Sequence, residues 1–161
     1  MNEEQPAPRA GGTEYEVARR RCLNTTRAGS LGDPFAPPWF DPGKWRFDEN
    51  GRLYGYLEDG LRPEGYHDMV HGGAIAGLVD AAMTHCLFGH GVMAVTAELS
   101  VRYRKPLGIG HPVEIAAEVK ETVAGQVYRL SSQVIADGEV KAEAHGTFFR
   151  SADVSPPLES L

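Results

Sequence analysis

The 161-residue sequence is poor in cysteine, with only Cys22 and Cys86. Two cysteines so far apart form neither a disulfide framework nor a zinc-binding motif, and they predict a reducing compartment, the cytoplasm. Positive charge is also scarce, because 16 lysines and arginines stand against 22 aspartates and glutamates and the net charge is −6. This balance argues against a general nucleic-acid-binding protein, which would be basic overall.

Long hydrophobic runs are missing as well. The apolar stretches are short and interrupted, so we expect no membrane-spanning segment. The first twelve residues, MNEEQPAPRAGG, are polar and proline-rich, which predicts a disordered tail rather than a signal peptide. The chain length suits one domain.

Composition along the chain predicts four segments. Thr13 and Glu16 have the spacing of a capping box, which indicates a helix from Thr13 to Asn24. The arginines at 19–21 are interpreted as a solvent-exposed face of that helix. The segments are a tail (1–12), the helix with a proline-rich loop (13–43), the main domain (44–150) and a C-terminal tail (151–161).

The stretch VHGGAIAGLVDAAMTHC (Val70–Cys86) contains almost only small or apolar residues. It predicts one helix over Gly73–Phe88 that is apolar nearly all round and therefore buried. Asp80 lies in its middle. Burial of an unpaired carboxylate costs free energy, and carboxylates in such surroundings cluster at sites of chemistry. The alternatives are an aspartate that bonds a core group or one that points to solvent.

Alternating polarity predicts strands around this helix. Asn50-Gly51 indicates a hairpin before the helix, and period-two patterns follow it. Ala124-Gly125 and Asp137-Gly138 indicate tight turns. The expected fold is α+β: a hairpin, a buried helix and a four-strand antiparallel meander. The alternating stretches are Met93–Tyr103, Val113–Val123, Gln126–Ala136 and Val140–Phe148.

The first of these stretches bears on the site. Strict alternation places Val95, Leu99 and Tyr103 on one face of the strand, together with Ala97 and Val101. Thr96 then lies on the opposite face.

Two glycines open the predicted helix. The amides of Gly72 and Gly73 would be bare there, and bare amides at a helix N-terminus favour an oxyanion, although the glycines could simply make a tight turn. Gly72 and Asp80 are eight residues apart, about 12 Å along a helix, so they cannot both touch one carbonyl. If they act together, Asp80 comes from a second copy of the chain, which requires a two-fold homodimer.

The motifs HGGAIAGLVDAA and VTAELSVRYRKP resemble hotdog-fold acyl-CoA thioesterases, specifically the PaaI-like branch of the 4-hydroxybenzoyl-CoA thioesterase superfamily. The resemblance runs from about Tyr54 to Phe149. It implies a hotdog fold, a curved antiparallel sheet wrapped around one long buried helix, over residues 44–150. It also implies sites between paired subunits, in a homodimer or a dimer of dimers.

The resemblance further implies roles for individual residues. The Gly72 amide, with Gly73 as a second candidate, polarises the thioester carbonyl. Asp80 of the partner acts as general base on water or as nucleophile. Thr96 helps to hold the attacking water, unless it is an ordinary strand threonine, and His71 is mainly structural at the substrate-binding end.

One position departs from the family pattern. Many relatives carry Asn or Gln six residues before the motif histidine, near the substrate carbonyl, where this chain has Gly65. Tyr66 and His67 are the candidates to replace that group. The HDMVH sequence resembles a metal-binding pair of histidines, but it lacks the glutamate and the helix that such a motif needs, so we expect no metal.

Positive charge is concentrated in the RYRKP motif. Arg102, Arg104 and Lys105 are candidates to bind the phosphates of coenzyme A. The alternative is a charged strand end that deters edge aggregation. Cys86, on the predicted helix, is interpreted as a core residue rather than a nucleophile.

The resemblance implies hydrolysis of a small or medium acyl-CoA, or an aryl-CoA, without a cofactor other than the coenzyme A of the substrate. A thiol leaving group has a pKa of about 8.5, so it departs without a strong general acid. The alternatives are a non-catalytic acyl-CoA-binding protein and a hotdog hydratase or dehydratase.

Overall fold

The computed structural model describes residues 13–26 and 45–151. The predicted N-terminal tail, the proline-rich loop and all but the first residue of the predicted C-terminal tail lie outside them. The elements are α1 (Thr13–Thr26), β1 (Arg46–Phe47), β2 (Leu53–Leu57), α2 (Gly72–Gly89), β3 (Ala94–Tyr103), β4 (Val113–Val123), β5 (Val127–Ala136) and β6 (Glu139–Arg150).

The strands form one antiparallel sheet in the order β1-β2-β4-β5-β6-β3. Helix α2 packs on one face of it, so the α+β prediction is confirmed. The expected meander of the last four strands is wrong in one respect, because β3 pairs with β6 at the edge and not with β4. The nine residues between β3 and β4, which include Pro106 and Pro112, are too many for a tight hairpin and let β4 join β2 instead.

The predicted tight turns are confirmed. Ala124 and Gly125 have φ of 50° and 64°, and Asp137 and Gly138 have φ of 55° and 72°. Two consecutive positive φ values are the signature of the turns that match strand twist in two-residue hairpins. These turns set the register of β4, β5 and β6, whose inward residues cover α2.

Helix α2 is less enclosed than predicted. Eleven of its eighteen residues are buried, and by length and composition alone it could cross a membrane, but its buried side forms the domain core. One side is at least partly exposed in the protomer. That side carries Gly73, Ala76, Gly77, Asp80, Ala81 and Thr84.

Helix α1 packs on α2, which changes the interpretation of the arginine run. Arg20 and Arg21 are exposed as expected, but Arg19 is buried. Burial lowers the pKa of the Arg19 guanidinium. Burial, with a smaller contribution from Arg19, also lowers the pKa of His85 to about 4. His85 is therefore neutral at pH 7, between the rings of Trp45 and Phe88.

The end of α2 is closely packed against β1. A methyl group on Gly89 would lie 2.4 Å from the ring of Phe47, which is buried and stacked on Tyr15. Gly89→Ala is therefore expected to lower the free energy of unfolding by about 1–3 kcal/mol through overpacking, measured by urea denaturation. In protein that already carries Phe47→Leu, the Gly89→Ala change should lower the free energy of unfolding by less than it does in the wild type. Purely additive effects would contradict the steric explanation.

Candidate active site

The N-terminus of α2 presents one unengaged amide. His71 is the N-cap residue, and its Nδ1 accepts a hydrogen bond of 2.9 Å from the Gly73 N–H. The Gly72 N–H has no acceptor among the described residues. Of the two glycine amides expected to bind an oxyanion, only that of Gly72 is available in this structure. His71 bonds the backbone, as the resemblance implies.

Tyr103 also contacts this end of the helix. Its hydroxyl donates a hydrogen bond of 2.8 Å to the Gly72 carbonyl oxygen. Sequence reasoning placed Tyr103 on the apolar face of its strand and missed this contact. The available signal was a tyrosine at the end of an apolar strand face, because the phenol of such a residue usually finds a polar partner.

Asp80 and Thr96 form a pair across α2 and β3. The Thr96 hydroxyl donates to Asp80 Oδ1 at 2.7 Å. No described residue donates to Oδ2, and the carboxylate lies on the partly exposed side of α2. Asp80 is thus held through one carboxylate oxygen, and the other has no donor in the described chain.

A β-bulge makes this pair possible. Thr96 lies opposite Phe148, but Glu98 lies opposite Thr147, so the register shifts by one residue between them. Opposite residues of an antiparallel pair share a face, and Phe148 is buried in the core. Thr96 therefore faces α2. The prediction that it lies on the other face from Leu99 and Tyr103 is wrong, because strict alternation ignores the extra residue of a bulge.

The loop before the helix carries the remaining candidates, of which Gly65 lies next to His71. Gly65 packs closely there, since a Cβ at this position would lie 3.1 Å from the His71 Cα. Tyr66 is 83% exposed and His67 is also exposed. Asp68 has φ of 58°, so this segment is a turn. A helical metal-binding pair of histidines, the alternative considered for HDMVH, does not form.

The positive charges of the RYRKP motif are largely neutralised by acidic residues within the domain. Arg104 forms an ion pair of 2.6 Å with Glu143, and Lys105 pairs with Glu139. Arg102 is exposed and forms no ion pair with a described residue. Of the three candidates for phosphate binding, Arg102 alone is a cation without an acidic partner at hydrogen-bonding distance in the described chain.

Cys86 occupies the core. Its thiol is fully buried and approaches the carbonyl oxygens of Gly51 and Ala117 at 3.7 and 3.5 Å. Burial raises the pKa of the Cys86 thiol to about 12. A thiol that stays protonated and inaccessible is a poor nucleophile, so the prediction of a core residue is confirmed.

A family model described as the thioesterase superfamily matches residues 67–124. The chain is similar to this superfamily over that segment, which is 58 of its 161 residues. The matched segment runs from the turn before α2 through β3 and into the start of the β4–β5 turn, and it contains the His71 cap, the Gly72 amide, Asp80, Thr96 and Tyr103. All the contacts described above between α2 and β3 therefore lie within the segment that the family model matches.

The chain is also similar to a curated protein. The mouse acyl-coenzyme A thioesterase THEM4 is 29% identical over 108 residues, which cover 66% of this chain and 46% of that protein. The chain thus spans less than half the length of the curated relative that it matches.

Solved structures confirm the hotdog fold. The Escherichia coli PaaI protein of the phenylacetic acid degradation operon superposes with a TM-score of 0.66 at 17% identity, covering 84% of this chain and 96% of that one. A Streptococcus mutans protein solved with acetyl CoA bound gives 0.59 at 22% identity, covering 63% of this chain and 82% of that one.

Proposed function

We propose that this chain is an acyl-CoA thioesterase that hydrolyses a small or medium acyl-CoA, or an aryl-CoA. One observation carries the proposal. Helix α2 carries both a carboxylate held by Thr96 and a terminal amide, that of Gly72, with no acceptor among the described residues, and both residues are partly exposed. The superfamily match and the THEM4 similarity support thioester hydrolysis as the reaction.

The reaction needs few groups. Asp80 Oδ2 takes a proton from water, and the water oxygen attacks the thioester carbonyl carbon. The Gly72 N–H stabilises the oxygen that becomes negative. When the tetrahedral intermediate collapses, the C–S bond breaks and coenzyme A leaves as a thiolate that is then protonated. Direct attack by the Asp80 carboxylate, followed by hydrolysis of the resulting anhydride, gives the same products.

The distance between the two groups favours a shared site. Gly72 and Asp80 are separated by about 12 Å along α2, so we infer that each site combines Gly72 of one chain with Asp80 of another. An antiparallel second copy of α2 would achieve this with two-fold symmetry. The small side chains on the exposed side of α2 and the unpaired edge of β3 support such a homodimer. A dimer of dimers is compatible with it.

Coenzyme A is the proposed common part of the substrate. The similar S. mutans protein was solved with acetyl CoA bound, and a hypothetical thioesterase from Streptococcus pneumoniae was solved with coenzyme A. In this chain Arg102 is the cation best placed to meet a phosphate. Tyr66 and His67, on the loop before α2, are proposed to contact the acyl part, and no further cofactor is required. Cys22 and Cys86 are buried and are not joined in a disulfide, which supports a cytoplasmic location.

A panel of acyl-CoAs tests the proposal. The purified protein should release free thiol from at least one of short-chain, medium-chain and aryl-CoA thioesters, detected with a thiol-reactive chromophore. Binding of coenzyme A without thiol release would favour a non-catalytic acyl-CoA-binding protein. Water addition to an unsaturated acyl-CoA, with the thioester intact, would favour a hydratase.

A further inference from the structure

We propose that Tyr103 is a positioning residue of the active site, which acts by holding the Gly72–Gly73 peptide in one orientation. The inference deepens the proposed function and rests on it, because its kinetic consequence requires Gly72 to bind the thioester oxygen.

The Gly72–Gly73 peptide group is held at both ends. Its carbonyl oxygen accepts the Tyr103 hydroxyl at 2.8 Å, and its N–H donates to His71 Nδ1 at 2.9 Å. The tyrosine ring also lies against the Gly72 Cα, since an added Cβ would be 3.4 Å from ring atom Cζ. Rotation of this peptide plane would break both hydrogen bonds at once.

Two adjacent glycines make such a constraint useful. Glycine has the widest range of backbone conformations, and a helix end has no preceding turn to restrict it. The Gly72 N–H belongs to the next peptide toward the N-terminus, so its direction depends on the dihedral angles at Gly72. Holding the following peptide plane therefore restricts the directions in which the unengaged amide can point.

The edge strand β3 then positions both chemical groups. Its first half supplies Thr96, which holds Asp80, and its last residue is Tyr103, which holds Gly72. Both contacts are hydroxyl hydrogen bonds to α2. In the proposed dimer, each shared site would contain the Tyr103–Gly72 contact of one chain and the Thr96–Asp80 contact of the other.

Packing alone does not account for Tyr103. The side chain is 51% exposed, much like that of Tyr56 on β2 at 48%, whose hydroxyl makes no such bond in the described chain. A ring with so much exposed surface contributes little to the core. Its hydroxyl, in contrast, has one specific acceptor at the candidate site.

The test compares Tyr103→Phe with Tyr56→Phe. Each change removes one hydroxyl from a half-exposed ring, so both variants are expected to fold. For Tyr103→Phe we expect kcat to fall about tenfold, less than the 10²–10³ typical of losing an oxyanion donor outright, with KM for the acyl-CoA unchanged. In ¹⁵N-glycine-labelled protein, the Gly73 amide should shift and exchange its hydrogen faster. Tyr56→Phe should change neither.

The two measurements together decide the outcome. An unchanged kcat in Tyr103→Phe would overturn the proposal, and so would a lower kcat with an unaltered Gly73 amide. If wild-type protein released no thiol from any acyl-CoA, the catalytic consequence would fall with the proposed function. A change at the Gly73 amide in Tyr103→Phe would then show that the contact between Tyr103 and the peptide exists, and that only the proposed function is wrong.

Discussion

Asp80→Asn is expected to lower kcat for acyl-CoA hydrolysis at least about 100-fold, the lower limit of what a general base contributes. Asparagine has nearly the same shape and its Oδ1 can still accept the Thr96 hydroxyl, so the fold is preserved. What it loses is the ability to take a proton from water or to attack the carbonyl. Thiol release under saturating acyl-CoA measures the effect.

Glu114→Gln is the matched control for this experiment. Glu114 is an exposed acid on β4 that forms no ion pair with a described residue, and its substitution removes the same charge. The control should keep wild-type kcat. Turnover by Asp80→Asn close to that of the control would rule out the proposed chemistry, whichever of the two routes Asp80 follows.

Gly72→Pro is expected to lower kcat by about 10²–10³, as the loss of one oxyanion donor does. Proline has no N–H, yet it is favoured at the first position of a helix. The preceding residue, His71, already has φ of −60° and ψ of 131°, which suits a residue before proline. An added Cβ at position 72 would meet the Tyr103 ring at ordinary contact distance. The substitution therefore removes the donor and little else.

Mixing the two inactive variants tests the shared site. In a heterodimer of Asp80→Asn and Gly72→Pro chains, one site would combine an intact Gly72 with an intact Asp80, and the other site would lack both. Random association of equal amounts makes half of the dimers mixed, so about a quarter of wild-type activity should return. Co-expression with two affinity tags isolates the mixed species.

Sites contained within single chains would give a different result. Each chain of the mixed dimer would then carry one disabled site, and activity would stay at the level of the separate variants. Persistent inactivity in a folded mixed dimer would thus refute the cross-subunit arrangement while leaving Asp80 and Gly72 as site residues.

Local sequence signals predicted most of the fold. Turn dipeptides predicted the turns at Ala124-Gly125 and Asp137-Gly138, where both residues have positive φ, and the connection between β1 and β2, where Gly51 alone has it. A period of two marked the strands, and the small apolar run marked α2. These local signals could not predict the order of the strands in the sheet, because the pairing of β3 with β6 depends on contacts between residues distant in the chain.

The residues of the candidate site were likewise predicted from the sequence only in part. His71, Gly72 and Asp80 lie within one short stretch, and their types and spacing pointed to oxyanion binding, base chemistry and a possible second subunit. Their partners come from farther along, since Thr96 is 16 residues from Asp80 and Tyr103 is 31 residues from Gly72. A single bulged residue in β3 reversed the predicted side of Thr96.

By itself, the sequence determined the element types and the location of the chemical groups, because backbone preference and hydrophobic period act over a few neighbouring residues. Only the tertiary structure decided which of those groups remain available. The Gly73 amide is engaged by His71, Arg104 pairs with Glu143, and the Gly72 amide has no partner in the described chain. Hydrogen bonds and ion pairs between separate elements exist only once packing has fixed their distances, and that is why the sequence could name these groups but not say which were free.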